Sequence, residues 1–130
     1  MPLELAAVFI AILVFVTAGL AFNISVGRFR HHIPHGEGPN RELARPIRAH
    51  MNSVEHSLPI GLLLLTYALL KGNATAILWI GTAAVVARIA LSIGILRKGA
   101  FSLRRYGAFV TYAIEVLLVV LVITAAGSRL

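Results

Sequence analysis

The sequence predicts an all-α fold, an integral membrane bundle of four helices forming one domain over residues 1–130. Three observations predict it. Of the 130 residues, 58% are hydrophobic and only 13% are charged, whereas a soluble domain carries about 45–50% apolar and ~25% charged residues. Four segments each supply the roughly 20 mainly apolar residues that a spanning helix needs at ~1.5 Å per residue. The connections between them are polar and rich in arginine. The mean hydropathy of +0.87 excludes disorder, because so apolar a chain has too much surface to bury. With no cysteine, the chain cannot build disulfides or thiolate metal sites, and it carries no thiol redox chemistry of its own.

The first span is expected over residues 3–26, and no basic region precedes its apolar stretch, which predicts a retained helix rather than a cleaved signal. A polar connection from 27 to 45 leads to the second span at 47–70. Lys71, Gly72 and Asn73 make a tight turn into the third span, 74–96, and residues 97–105 join it to the fourth, 106–126. Alanine-rich faces with Gly81 and Gly94 predict close helix packing. Tyr67 and Trp79 are expected to be interfacial anchors on the outer side, and Tyr106 and Tyr112 to be interfacial or to reach a ligand.

Charge sets the orientation. The 12 Lys and Arg residues outnumber 5 acids, all glutamate, for a net charge of +7. In a soluble protein that excess would suggest nucleic acid. Here it lies between apolar runs, so lipid headgroups or an anionic ligand at the membrane surface are the expected partners, and nucleic acid is not. Nine cations (Arg28, Arg30, Arg41, Arg45, Arg48, Arg97, Lys98, Arg104 and Arg105) flank the first and third connections, against Lys71 and Arg129 on the other side. This places both connections in the cytoplasm and both termini outside, and a bacterial inner membrane suits such a chain. Arg28, Arg30, Arg97 and Lys98 fall at helix C-termini, where cations are favoured. Arg45, Arg48, Arg104 and Arg105 fall at helix N-termini, where they are not, and that mismatch suggests a bound anion.

The second span is the informative one. Arg48, Asn52, Glu55 and Pro59 are spaced four, three and four apart, forming a single polar stripe that Arg45 extends if the helix reaches it. Lipid contact would cost such groups several kcal/mol each, so the stripe is expected to face other helices or a wet cleft. Glu55 and Arg88 both fall about 12 Å below the cytoplasmic boundary, and Glu115 at about 15 Å. An ion-pair cluster of Arg88 with Glu55, Glu115 or both is therefore expected. His31, His32 and His35 share the first connection, but nothing at helical spacing completes a metal site.

The run Arg45-x-x-Arg48-Ala-His50-x-Asn52-x-x-Glu55-x-x-x-Pro59 resembles the signature of the MAPEG family, the membrane-associated proteins in eicosanoid and glutathione metabolism, in its bacterial microsomal glutathione transferase-like form. Arg88 in the third span and the Arg104–Arg105 pair support the likeness. The resemblance implies a homotrimer of four-helix subunits that binds glutathione between neighbours near the cytoplasmic side and takes hydrophobic small-molecule substrates from the bilayer. It further implies that Arg45, Arg48, Asn52 and Glu55 line or brace the glutathione site and that Arg88 supports it. Arg104 or Arg105 would serve the thiol as the catalytic arginine. Met51 replaces a further arginine of several eicosanoid-processing members, and Leu91 and Ile95 replace polar or aromatic residues. The implied activity is a glutathione transferase or peroxidase acting on hydrophobic electrophiles or lipid hydroperoxides. A non-catalytic lipid-binding protein on the same fold is the alternative, and a proton-coupled exporter using Glu55 or Glu115 a third.

Overall fold

The computed structural model describes residues 1–129. Four α-helices follow in order, α1 (Pro2–His31), α2 (Ala44–Leu69), α3 (Ala74–Leu96) and α4 (Phe101–Gly127). Each contains its predicted span, apart from a one-residue difference at the end of α2, and three of them extend further. α1 runs on through Arg28 and Arg30 to a left-handed cap at His32, whose N–H bonds to Arg28 O. α2 starts early enough to take in Arg45, with Pro46 in its first turn. α4 starts at Phe101, so Arg104 and Arg105 lie within the helix. Hydropathy marks only the apolar part of each helix; no glycine or proline between 101 and 106 stops the last one sooner.

α1, α3 and α4 are long and apolar enough to cross a membrane, whereas α2 is long enough but not apolar enough. α2 thus stands apart from the other three helices in composition. The reason is the load of Arg45, Arg48, His50, Asn52, Glu55 and His56 on the first half of α2. α2 is correspondingly the amphipathic helix, and it is packed on three sides. Around the bundle the neighbours run α1–α2–α4–α3, with α2 and α3 also touching across the middle, while α1 and α4 do not meet.

The core divides into two layers. Towards the α2–α3 turn lies an apolar cluster that includes Phe9, Leu13, Ile60, Leu64, Tyr67, Ile77, Ile114 and Leu118, drawn from all four helices. Tyr67 is 7% exposed rather than interfacial. Its hydroxyl accepts the N–H of Asn73 at 3.2 Å, so it packs under the turn instead of anchoring at the membrane surface. Trp79 is exposed, as an interfacial anchor would be. The Asn73 side chain caps α3 by accepting the N–H of Ala76 at 3.0 Å.

Towards the other end the interior turns polar. Thr17 and Ser53 share a hydrogen bond of 2.8 Å between α1 and α2, and Ser92 donates to Arg88 O at 2.8 Å. α3 and α4 approach closely here because glycines face the opposing backbone. A Cβ on Gly107 would lie 2.8 Å from Leu91 N and 3.0 Å from Ala87 O, and one on Gly94 would lie 2.8 Å from Arg104 Cα. Gly81 likewise makes room for the Phe9 ring. Gly107→Val is expected to destabilise the subunit by roughly 1–3 kcal/mol through overpacking, read as an earlier midpoint in thermal unfolding in detergent. Gly19→Ala, with open space around its Cα, is expected to leave that midpoint in place.

Candidate functional site

The first connection folds back as a roof over the start of α2. Arg28 Nη1 donates to Ile33 O (3.3 Å) and Gly36 O (3.2 Å), so this arginine ties the loop as well as ending α1. Leu43 N–H bonds to Glu37 O at 2.9 Å. Glu37 pairs with Arg41 at 3.0 Å. Glu42 takes hydrogen bonds from the backbone and side chain of Asn40 at 3.3 and 3.1 Å. Its own backbone N–H, and then Asn40, hold the Glu42 carboxyl below the usual carboxylate range against some desolvation. Gly38, at φ 91°, lies where a Cβ would strike that carboxyl and Ile33.

Between this roof, α2, the end of α3 and the start of α4 lies a cleft of about 1160 Å³. Arg45, Arg48, Met51, Asn52 and Glu55 line it from α2, Gly94 and Ile95 from α3, Arg97 and Lys98 from the third connection, and Phe101 and Arg104 from α4. With Arg41, Glu37 and Glu42 of the roof, the lining carries six cations against three carboxylates. Glu37 and Glu42 are already engaged. Arg45, Arg48, Arg97, Lys98 and Arg104 therefore have no acidic partner within 4 Å among the described residues.

The helix ends add to the positive field. Neither α2 nor α4 has a side-chain N-cap or an acid in its first turn, which leaves their first N–H groups without the usual acceptor. The arrangement suits a polyanionic ligand with one cationic group, because Glu55 stands alone among the arginines.

Most of the predicted residues come together, and three are sorted by the structure. Arg104 lines the cleft and stacks over Phe101 with its Cζ 5.7 Å from the ring centroid, while Arg105 is exposed and outside it. Gly94 lets α4 approach near enough to put Arg104 there. Arg88 stands behind the wall with no exposed surface. Leu91 packs against Gly107 rather than the cleft, so only Met51 and Ile95 of the three variant positions line it.

The expected ion-pair cluster does not form. Arg88 Nη2 instead donates to both the main-chain O and Oδ1 of Asn52, each at 2.8 Å, and Nε and Nη1 have no partner among the described residues. Glu115 pairs with His56 at 2.8 Å. Azimuth on α2, rather than depth, separates these groups. The face bearing Ala49, Ser53, Ser57 and Ile60 turns inward, which leaves Asn52 at its edge and Glu55 exposed in the cleft. His56 was missed as a partner although it lies as deep as Glu115. Depth matching applied to histidines as well as arginines would have found it. Among the described residues no three His, Asp or Glu side chains converge as metal ligands.

Asn52→Ala removes the only side-chain acceptor that Arg88 has among the described residues and is expected to destabilise the protein by roughly 1.5–3 kcal/mol. Asn52→Ala combined with Arg88→Met is expected to cost less than the sum of the single changes, read by a double-mutant cycle in denaturant.

No curated protein and no solved structure matches the chain significantly. The MAPEG family matches it over residues 6–124, a range that takes in α2 and α3 whole, most of α1 and α4, and every residue of the cleft. This protein therefore belongs to the MAPEG family of helical membrane proteins.

Proposed function

We propose that the protein is a membrane-bound, glutathione-dependent transferase or peroxidase acting on hydrophobic electrophiles or lipid hydroperoxides. The observation that carries this reading is the cleft, where five cations with no acidic partner among the described residues and two uncapped helix N-termini surround the carboxylate of Glu55. Glutathione has two carboxylates, an ammonium group and a thiol, and the lining offers a complement to each. Arg45 and Arg48 would take carboxylates through forked hydrogen bonds, and Glu55 would take the ammonium group. Asn52, fixed by Arg88, would brace the chain between them. Bound glutathione supplies the nucleophile. Arg104, held by Phe101 and Gly94, would favour its ionised thiol, because a nearby guanidinium stabilises a thiolate.

The exposed polar residues of α2 support assembly as a homotrimer. Arg48 and Glu55 lie on the outer face of the isolated subunit. Contact with lipid would cost each of them several kcal/mol, and a neighbouring subunit closing the cleft removes that contact. The excess of basic residues beside the first and third connections supports placing them, and the cleft, on the cytoplasmic side.

A second reading, a non-catalytic lipid-binding member, is favoured by Met51 and Ile95, which put apolar surface where a polar ligand would rest. Calorimetry of glutathione on detergent-purified protein separates the two. Saturable binding by the wild type, weakened about tenfold or more in Arg48→Ala through loss of charge-assisted hydrogen bonds, is expected. A folded wild type that takes up no glutathione would overturn the transferase reading in favour of lipid binding. Given binding, Arg104→Ala is expected to lower kcat with little change in affinity, whereas Arg105→Ala is expected to leave kcat near the wild-type value in the same conjugation assay.

A further inference from the structure

The cleft carries more positive charge than one glutathione uses. Under the transferase or peroxidase reading, a single molecule engages Arg45, Arg48 and Arg104 with its two carboxylates and thiolate, and Glu55 with its ammonium group. That leaves three of the six cations in the lining over, Arg41, Arg97 and Lys98. Arg97 and Lys98 have no acidic partner within 4 Å among the described residues. A helix C-terminus favours cations wherever they point, but these two line the cleft.

Arg41 differs, because it pairs with Glu37 of the roof at 3.0 Å. Both side chains are exposed, and both residues line the cleft. An exposed pair of this kind contributes little, so it parts readily for a ligand that brings its own ammonium and carboxylate. Glu37 suits the first and Arg41 the second, through charge-assisted hydrogen bonds. The roof thus matches the amino-acid end of a peptide, and Arg97 with Lys98 matches a further carboxylate. Glutathione carries that same set of groups.

The spare groups lie beside the reacting end of the first molecule. A Cβ on Gly94 would meet the Arg104 main chain, with Cα at 2.8 Å. Arg97 follows three residues later, about 4.5 Å further along α3. Phe101, four residues after Arg97, carries the Arg104 guanidinium over its ring. Room is not limiting either. Pockets for one drug-sized ligand run to about 300–1000 Å³, and this cleft holds about 1160 Å³.

We infer that the cleft has a second thiol subsite, in which Arg97 and Lys98 hold one carboxylate of a second glutathione while Glu37 and Arg41 hold its amino-acid end. The inference rests on the glutathione reading above and belongs to its peroxidase side. The first thiolate attacks the distal oxygen of a hydroperoxide, so that an S–O bond forms, the O–O bond breaks and the alkoxide leaves. The sulfur is oxidised to a sulfenic acid and the peroxide is reduced. The second thiolate then attacks that sulfur, an S–S bond forms, the S–O bond breaks and hydroxide leaves. The protons given up by the two thiols convert alkoxide to alcohol and hydroxide to water. The sum is two thiols and one hydroperoxide giving disulfide, alcohol and water. Holding the second thiol beside the sulfenic acid replaces a bimolecular encounter with a step inside one complex.

The test uses the full chain in phospholipid nanodiscs with glutathione and either of two substrates. Cumene hydroperoxide consumes two glutathiones per turnover, and chlorodinitrobenzene consumes one. Arg97→Gln combined with Lys98→Gln is expected to raise the glutathione concentration for half-maximal peroxide reduction about tenfold or more, and that for conjugation by much less. Calorimetry on the wild type is expected to show glutathione disulfide binding about tenfold or more tighter than S-methylglutathione, which fills one subsite only. The inference is overturned, and the transferase reading stands, if the two half-saturation concentrations move together or neither moves. The same holds if the wild type conjugates but reduces no peroxide. Should the double variant fail to fold, disulfide that binds no tighter than S-methylglutathione overturns the inference on the wild type alone. Wild type that takes up no glutathione overturns both.

Discussion

A guanidinium with no exposed surface lies inside the bundle, projecting from α3 against α2, and the arrangement of the polar end of the bundle follows from accommodating it. Arg88 finds no carboxylate within ion-pair distance among the described residues. One of its nitrogens is satisfied twice over by the main-chain and side-chain oxygens of Asn52. A buried charge that is only partly hydrogen-bonded is costly, so this contact fixes the rotation of α2 relative to α3 more tightly than apolar packing alone could. Once that rotation is set, Arg48 and Glu55 are turned out into the cleft, and His56 is turned toward α4. A single hydrogen-bonded contact therefore decides which polar groups of α2 face a ligand and which face the interior.

The bundle keeps stability and recognition in separate layers. The half near the α2–α3 turn is filled by branched and aromatic side chains, with Tyr67 closing it under Asn73. The other half is narrow between α3 and α4, because Gly94 and Gly107 let the two backbones almost touch. That narrowness is functional in its effect. It draws the first turns of α4 in beside the end of α3, so that Arg104 shares a cleft with α2 residues more than 50 positions earlier in the chain.

Much of this was legible in the sequence. The four helices follow from apolar run length, and the stripe on α2 follows from the spacing of Arg48, Asn52 and Glu55, because periodicity is a local property of the chain. Gly94 as a packing residue was legible for the same reason. What the sequence did not reveal were matters of rotation about a helix axis. Depth arithmetic put Arg88, Glu55 and Glu115 on one level and suggested an ion-pair cluster, but level says nothing about azimuth, and Asn52 and His56 took the partners instead. Tyr67 was misread in the same way, since position near a helix end does not tell whether a ring points to the surface or inward. Arg104 and Arg105 are consecutive, about 100° apart on a helix, and only the packing of α4 on Gly94 separates them.

The four-residue connection between α2 and α3, residues 70–73, bears on how the chain enters a bilayer. α2 is not apolar enough to cross by composition, whereas α3, which follows after Lys71, Gly72 and Asn73, is. A helix of such polarity partitions poorly alone, and a turn this short leaves no slack for the two to insert separately. They would enter as a helical hairpin, with Arg88 and Asn52 already shielding each other from hydrocarbon. On that route the contact that later orients the cleft is also an entry permit for the least hydrophobic helix, and biogenesis and ligand geometry constrain the same pair of residues.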